Sequence, residues 1–256
     1  MKIRLNVLLA SLFLTLLCGR AQAQVVNFNF AYDGYGSNYS GQGAYSDPGH
    51  NYWNRVGANT VDDYIYDPDT DDFTFVTNPG PYPQNRATMF ASDGTTLTSI
   101  RITFNDDSFG TGDTPLFAND LYHTYYYAHT SPQAFTISGL TAGQAYDFYF
   151  YTESGDIPHD RSGSFTLDGQ TLPFSALVLS AFSEGNNYVK FTLTPSGTTL
   201  NGSMVASLTS SGEANFAGLQ IVAVTAVPEP ATYAAIAGCV ALAGGLIRRR
   251  SRQRSG

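Results

Sequence analysis

The chain has few cysteines and few charges. Its only cysteines, Cys18 and Cys239, lie in apolar stretches near opposite ends of the 256-residue sequence. The long segment between them has no thiol, which excludes a disulfide-stabilised scaffold and a cysteine-ligated metal site there. Charged residues make up 13% of the sequence, whereas 43% is hydrophobic and 14% aromatic. This apolar content is enough for a packed core and excludes a chain that is disordered throughout.

Basic residues are scarce in the middle of the chain. Residues 24–226 contain 20 acidic side chains but only five basic ones, and the other eight basic residues lie at the two ends. A segment with this excess of negative charge repels polyanions, so the composition argues against a nucleic-acid partner. The five basic residues are Arg55, Arg86, Arg101, Arg161 and Lys190.

The N-terminus has the pattern of a secretory signal peptide, which signal peptidase removes. A positive start, an apolar run and a small-residue cleavage site follow one another: Lys2 and Arg4, residues 7–17, and Ala21, Ala23 and Gln24. We therefore predict a signal peptide over residues 1–23 with cleavage before Gln24. Lipid attachment at Cys18 is the alternative, and Leu17 argues against it because lipoprotein signals have a small residue at that position.

The C-terminus combines a proline motif, an apolar stretch and a basic cluster. These are Val227, Pro228, Glu229 and Pro230, then residues 231–247, then Arg248, Arg249, Arg250, Arg252 and Arg254. A helix over the 17 apolar residues covers roughly 26 Å, the short limit for crossing a bilayer. The arginines would hold their end in the cytoplasm and leave the acidic segment outside. We predict a transmembrane helix over residues 231–247, and an ordinary membrane anchor is one interpretation of it.

The whole tail, residues 227–254, resembles the PEP-CTERM sorting signal of Gram-negative bacteria, with Pro228-Glu229-Pro230 as the motif. The resemblance implies a precursor held in the inner membrane and recognised there by an exosortase. It also implies delivery to the cell surface or the extracellular matrix. The domain organisation is then a signal peptide (1–23), a body (24–226) and a sorting signal (227–256).

The body is predicted to be all-β. Short runs that alternate or are rich in aromatics recur between Gly, Asn, Asp and Pro turns, and no amphipathic helix of a dozen residues interrupts them. This number of strands favours a single β-sandwich, jelly-roll-like, over two domains. Alternation places Ile100, Ile102 and Phe104 on a buried face. The predicted strands are 25–30, 73–76, 97–104, 122–128, 134–138, 146–152, 164–167, 188–193, 204–208 and 219–225.

Two resemblances support this architecture. Residues 137–149 (ISGLTAGQAYDFY) resemble the corner found in fibronectin-type and carbohydrate-binding sandwich modules. This implies that the Tyr146 ring fills one end of the sandwich while its hydroxyl bonds back across the turn. Residues 187–191 and 215–221 resemble terminal strands of galactose-binding-like jelly rolls. These resemblances concern the fold and imply no activity.

An acidic run is the candidate metal site. Asp67, Asp69, Asp71 and Asp72 can direct several oxygens at one Ca²⁺ ion, which favours six to eight oxygen ligands. The run is not an EF-hand loop, because its sixth position is Asp72 instead of Gly and its twelfth is Asn78 instead of Glu. A solvated acidic loop is the alternative.

An aromatic cluster is the candidate sugar-binding surface. Tyr45, Tyr52, Trp53 and Asn54 combine rings that stack on pyranose faces with a polar group for the hydroxyls. The alternative is that Tyr52 and Trp53 fill the core under a long loop, since a lone Trp is more often buried than displayed.

These features predict an exported, non-catalytic protein with a structural or carbohydrate-binding role, its partner being an extracellular polysaccharide. The alternative is a secreted polysaccharide-degrading or modifying enzyme that uses carboxylates in loops 106–113 and 153–160. No G-x-S-x-G or P-loop motif occurs in the sequence. A self-associating matrix or S-layer-like protein without glycan affinity is a third interpretation.

Overall fold

The structure is a computed structural model that describes residues 24–31, 39–57, 63–67, 72–76, 89–105, 108–111, 119–152, 161–177, 179–208 and 212–224. These residues belong to one unit that ends at Val224, and a second unit, 225–256, lies outside them. Within the described ranges no helix is long and apolar enough to cross a bilayer. The predicted signal peptide and the predicted helix over 231–247 also lie outside the described residues.

The described residues form strands and one helical turn. The strands in chain order are β1 (Val25–Ala31), β2 (Asn54–Gly57), β3 (Asp63–Asp67), β4 (Asp72–Val76), β5 (Met89–Phe90), β6 (Leu97–Thr98), β7 (Arg101–Phe104), β8 (Phe109–Thr111), β9 (Thr124–Ala128), β10 (Gln133–Ser138), β11 (Tyr146–Tyr151), β12 (Gly163–Leu167), β13 (Gln170–Phe174), β14 (Tyr188–Leu193), β15 (Thr199–Ala206), β16 (Ala214–Phe216) and β17 (Gly218–Ala223). The helical turn, α1, is Asn119–Tyr122.

Two five-stranded sheets form the framework. Sheet 1 has the order β14-β11-β17-β1-β2, and sheet 2 has the order β13-β12-β15-β10-β7. Their strands pair antiparallel except β1 and β2, which are parallel. Successive strands β10, β11 and β12 alternate between the sheets, as do β13, β14 and β15, which is the connectivity of a jelly-roll-like sandwich. The predicted all-β sandwich is confirmed.

Phenylalanine rings from both sheets fill the space between them. The ring of Phe150 in sheet 1 lies 5.6 Å from that of Phe135 and 5.0 Å from that of Phe165, both in sheet 2. The small sheet β16-β9-β8 adds Phe109, Tyr126 and Phe216 to the same core. Edge-to-face contacts of this kind stabilise a core beyond the area that they bury.

The predicted strand over 97–104 is interrupted. Ile100, Ile102 and Phe104 are buried as expected, but β6 pairs with β5 whereas β7 pairs with β10. The Arg101 guanidinium closes the bend between β6 and β7 by donating to the carbonyl oxygens of Thr98 and Ile100, at 2.7 and 2.8 Å. A second difference is Tyr122, which lies in α1 and not in the predicted strand 122–128.

The turn between β10 and β11 has the predicted tyrosine corner. The backbone N–H of Thr141 donates to the Tyr146 hydroxyl oxygen at 3.0 Å, across the turn. Gly139 starts this turn with a φ of 77°, in the left-handed region that side chains disfavour. A Cβ at this position would also collide with the carbonyl oxygen of Ser99. The glycine and the tyrosine together hold the end of the sandwich closed.

The Tyr146→Phe substitution tests this corner. It removes only the hydroxyl oxygen that accepts the Thr141 N–H, so the free energy of unfolding should fall by about 1 kcal/mol. Urea denaturation, followed by the fluorescence of the single tryptophan, measures the change. Tyr45→Phe is the control, because the hydrogen bonds described for Tyr45 use its backbone. An equal effect of both substitutions would contradict a specific role for the corner.

Candidate functional site

A loop covers the outer face of sheet 1. We call residues 39–53 the covering loop. The Ala44 N–H donates to the Tyr151 hydroxyl oxygen at 2.7 Å, and the side-chain amide of Gln220 exchanges two bonds of 3.1 Å with the backbone N–H and carbonyl of Tyr45. The loop approaches the sheet so closely that a Cβ on Gly43 would lie 2.5 Å from the Tyr151 hydroxyl oxygen. Gly43 permits this contact because it has no side chain.

The bonds beneath the covering loop are buried. Tyr151 is inaccessible and Gln220 is 2% exposed, and the Tyr151 hydroxyl donates to Gln220 Oε1 at 2.8 Å. Burial raises the pKa of Tyr151, so its hydroxyl keeps the proton that it donates. The Ala44 N–H and the backbone N–H and carbonyl of Tyr45 have these partners only while the loop is in place, which couples the loop to the sheet.

Trp53 is buried, and the expectation that it displays its ring is corrected. It is 3% exposed, its Nε1–H donates to the Gly41 carbonyl at 3.0 Å, and its ring packs against Tyr39 and Tyr151 at 5.0 and 5.8 Å. The loop and the sheet thus satisfy both the apolar ring and its N–H. The alternative interpretation, core filling under a long loop, describes Trp53 correctly.

Asn54 is also a structural residue. Its Nδ2 donates to the carbonyls of Asn27 and Phe90, at 2.9 and 2.7 Å, and its Oδ1 accepts the Phe90 N–H at 2.9 Å. The amide therefore joins β1 to β5 and is fully used, which corrects the expectation that it faces a sugar. Tyr52 is half-buried, with its ring edge-on to Phe90 at 5.8 Å.

Tyr45 faces a different surface, the tyrosine patch, which we define as Tyr45, Asp147, Tyr149, Tyr188 and Lys190. The Tyr149 ring lies in the middle, 6.3 Å from the Tyr45 ring and 6.0 Å from the Tyr188 ring. Tyr149 is 8% exposed, whereas Tyr45 and Tyr188 are half-buried. Strand β14, which carries Tyr188 and Lys190, is an edge strand of sheet 1. Three adjacent rings form a surface on which a ligand can stack.

An ion pair borders the rings. Lys190 Nζ lies 2.8 Å from Asp147 Oδ2 and 5.4 Å from the centre of the Tyr149 ring, a cation–π distance. The Thr192 hydroxyl donates to Asp147 Oδ1 at 2.6 Å. The hydrogen bond with Asp147 raises the pKa of Lys190, and burial raises the pKa of Tyr149 and Tyr188. At neutral pH the patch therefore presents neutral phenols and one paired ammonium group.

Sequence reasoning included Tyr45 but missed the other four patch residues. Alternation predicts that Asp147 and Tyr149 share one face of the strand 146–151, and that Tyr188 and Lys190 share one face of the strand 188–193. What the sequence does not contain is the register, in which Tyr149 is opposite Lys190 and Asp147 opposite Thr192. That register turns two separate patterns into one surface.

A cleft of about 280 Å³ lies on the other flank of the covering loop, lined by Gln24, Val25, Asp47, His50, Ala91, Ser92, Asp93 and Thr96. Asp47 Oδ2 accepts from the Ser92 hydroxyl at 2.7 Å, and Asp47 Oδ1 lies 3.4 Å from His50 Nδ1. These contacts tie the loop to the turn at 91–96. Burial favours a higher pKa for Asp93, but hydrogen bonds from Thr96 and Thr95 outweigh it and lower the pKa to about 2. Asp47 and Asp93 therefore use their carboxylates in hydrogen bonds that stabilise the loop and the turn at 91–96.

The proposed calcium ligands are only partly described. Asp67 and Asp72 are opposite each other at the closed end of the β3–β4 hairpin, and Asp69 and Asp71 lie outside the described residues. Within the described part of the chain, no three His, Cys, Asp or Glu side chains cluster as a metal site. The acids of the alternative enzyme interpretation, in 106–107, 112–118 and 153–160, also lie outside the described residues.

Comparisons with known proteins give distant likenesses. No protein-family model matches this chain, and no curated protein does. Among solved structures, an exo-β-1,3-galactanase from Phanerochaete chrysosporium with β-1,3-galactotriose matches with a TM-score of 0.30 and 13% identity, over 62% of this chain and 36% of that chain. The galactanase is thus matched over only about a third of its length.

Two carbohydrate-binding modules are matched over most of their length. The CBM36-1 domain of a xylanase from the hindgut metagenome of Trinervitermes trinervoides has a TM-score of 0.28 and 15% identity, over 50% of this chain and 100% of that chain. TmCBM61 in complex with β-1,4-galactotriose has a TM-score of 0.22 and 11% identity, over 49% of this chain and 84% of that chain. Likenesses at these scores do not establish a ligand for this chain.

The Gln220→Leu substitution tests the anchoring of the covering loop. It leaves the Tyr45 backbone without its partners and the Tyr151 hydroxyl without its acceptor. We therefore expect the free energy of unfolding to fall by about 2–4 kcal/mol. Because Trp53 packs between Tyr39 of the loop and Tyr151 of the sheet, its emission should shift to longer wavelength below the unfolding transition. Ser46→Ala, at an exposed loop position, is the control and should change neither signal. Unchanged emission in Gln220→Leu would contradict the proposed anchor.

Proposed function

We propose that this protein is exported and sorted by its PEP-CTERM signal, and that it binds carbohydrate without catalysis at the cell surface or in the extracellular matrix. The tail residues 227–254 support the sorting, since motif, apolar stretch and arginine cluster follow in order. The absence of thiols between Cys18 and Cys239 fits an exported sandwich that depends on its aromatic core for stability.

The tyrosine patch supports the carbohydrate-binding part of the proposal. The Tyr149 ring lies 6.3 Å from the Tyr45 ring and 6.0 Å from the Tyr188 ring, beside the Lys190–Asp147 pair and at the β14 edge of sheet 1. The apolar C–H face of a pyranose stacks on such rings, and its hydroxyls take hydrogen bonds from neighbouring polar groups. The covering loop holds Tyr45 in position before any ligand arrives, which lowers the entropic cost of binding.

A single patch of this size gives weak binding. At the cell surface, many copies of the protein would bind one polymer with many identical units. The combined strength of these weak contacts would then hold the polymer. A structural role in the matrix and a glycan-binding role are therefore compatible in this proposal.

Glycan binding can be measured on the full-length protein in detergent, with neutral polysaccharides immobilised on a gel. We expect retention of the protein without release of reducing ends. Tyr188→Ala and Tyr45→Ala should each weaken retention by about fivefold or more, because each removes a stacking ring. Leu97→Ala, which removes an exposed apolar side chain outside the patch, is the control and should leave retention unaltered. An equal loss of retention in Leu97→Ala, or product release by the natural protein, would contradict the proposal.

Sorting can be measured in a Gram-negative host that has an exosortase. Replacing Pro228, Glu229 and Pro230 by alanine preserves the apolar stretch and the arginines, so the protein should be exported but remain in the inner membrane at its precursor mass. The natural sequence should appear at the surface or in the medium with a smaller mass. A matched control replaces Ser251, Gln253 and Ser255, which do not belong to the arginine cluster. Identical fractionation of all three proteins would contradict the sorting proposal.

A further inference from the structure

We infer that the tyrosine patch selects neutral glycan chains and excludes polysaccharides that carry carboxylate or sulfate groups. This inference rests on the proposed carbohydrate-binding function and specifies the ligand class of the same site. It depends on how the one ammonium group of the patch is used and on the charges that surround it.

The positive charge of the patch is already paired. Lys190 Nζ is 2.8 Å from Asp147 Oδ2, and Thr192 fixes the other carboxylate oxygen at 2.6 Å. The Lys190 and Asp147 side chains are 30% and 17% exposed, so the pair sits at the margin of the patch and not free in solvent. An anionic sugar could bind Lys190 only by competing with a carboxylate that is held in place, and it would approach that carboxylate as it did so.

The surroundings add negative charge. Glu184 forms an isolated β-bridge with Tyr188, which places a second acid near the rings. Two other basic residues are used elsewhere: Arg101 donates to backbone carbonyls, and Arg161 pairs with Glu213. The whole body has 20 acidic and five basic side chains, so the long-range field also repels a polyanion.

The hydrogen-bonding capacity that remains suits a polyol. An ammonium group has three donors and a carboxylate has about four acceptor positions, so the Lys190–Asp147 pair has donors and acceptors left over. A sugar hydroxyl both donates and accepts, and it brings no charge that would have to be neutralised. The rings then supply the stacking surface for the C–H face. Rings beside a paired charge thus favour a neutral sugar chain.

The selectivity can be measured by titrating the full-length protein in detergent with oligosaccharides of equal length. Cellohexaose and xylohexaose are the neutral probes, and the hexamers of galacturonate and of mannuronate are the acidic ones. We expect a neutral probe to bind, with an affinity that changes less than about twofold between low and high salt, since no net charge is exchanged. The acidic probes should bind at least about fivefold more weakly.

A charge substitution tests the cause. Asp147→Asn releases Lys190 from its partner, so affinity for the acidic hexamers should rise on the order of fivefold and become sensitive to salt. Asp168→Asn is the matched control: it removes one negative charge on the β12–β13 turn, at a φ of 49° that asparagine tolerates, and should change affinity less than about twofold. Lys190→Met should weaken neutral binding without creating acidic binding.

The outcomes separate the two claims. If neither neutral nor acidic probes bind, the proposed carbohydrate-binding function is wrong, and this inference with it. If acidic hexamers bind the natural protein as tightly as neutral ones, or if Asp168→Asn raises acidic binding as much as Asp147→Asn, the function stands and the selectivity is overturned. Tryptophan emission from Trp53 checks in each variant that the covering loop is in place.

Discussion

The hydrogen bonds between Gln220 and the covering loop hold a second layer of chain against the outer face of sheet 1. A sheet in a sandwich has one face on the core and one face available, but here Gln220, Tyr151 and the loop backbone cover part of the available face. The tyrosine patch lies on the same face beside the loop, and the anchoring of the loop fixes where the Tyr45 ring stands against Tyr149.

Sheet 1 is covered by sheet 2 on one face and by the covering loop on the other, and this explains the composition of its central strands. Strand β11 (YDFYFY) and strand β17 (GLQIVA) are buried on almost every residue, with Phe148 and Phe150 towards sheet 2 and Tyr149 and Tyr151 towards the loop. A strand with one wet face would alternate with polar residues. Tyrosine suits the second layer, because its ring packs like phenylalanine while its hydroxyl reaches a partner.

The fold was predictable where the pattern was local. Alternation identified Ile100, Ile102 and Phe104 as core, and the glycine–tyrosine spacing identified the corner at Tyr146. The bend at 99–100 was missed because it depends on a side chain, Arg101, that bonds to nearby carbonyls. Of the proposed patch, only Tyr45 was among the residues predicted from the sequence. Trp53 looked available because its segment is turn-rich, and only the tertiary contact with Gly41 and Tyr151 shows that the segment lies flat on a sheet.

The pairing of β1 with β17 joins the first and the last strand of the described sandwich. Strand β1 lies inside sheet 1, between β17 and β2, so that sheet stays incomplete until residues 218–223 are available. Contacts of such long sequence separation form slowly. A nascent chain of this topology therefore cannot complete sheet 1 until nearly all of it has been made, and the export that we propose would need the chain in such an unfolded state.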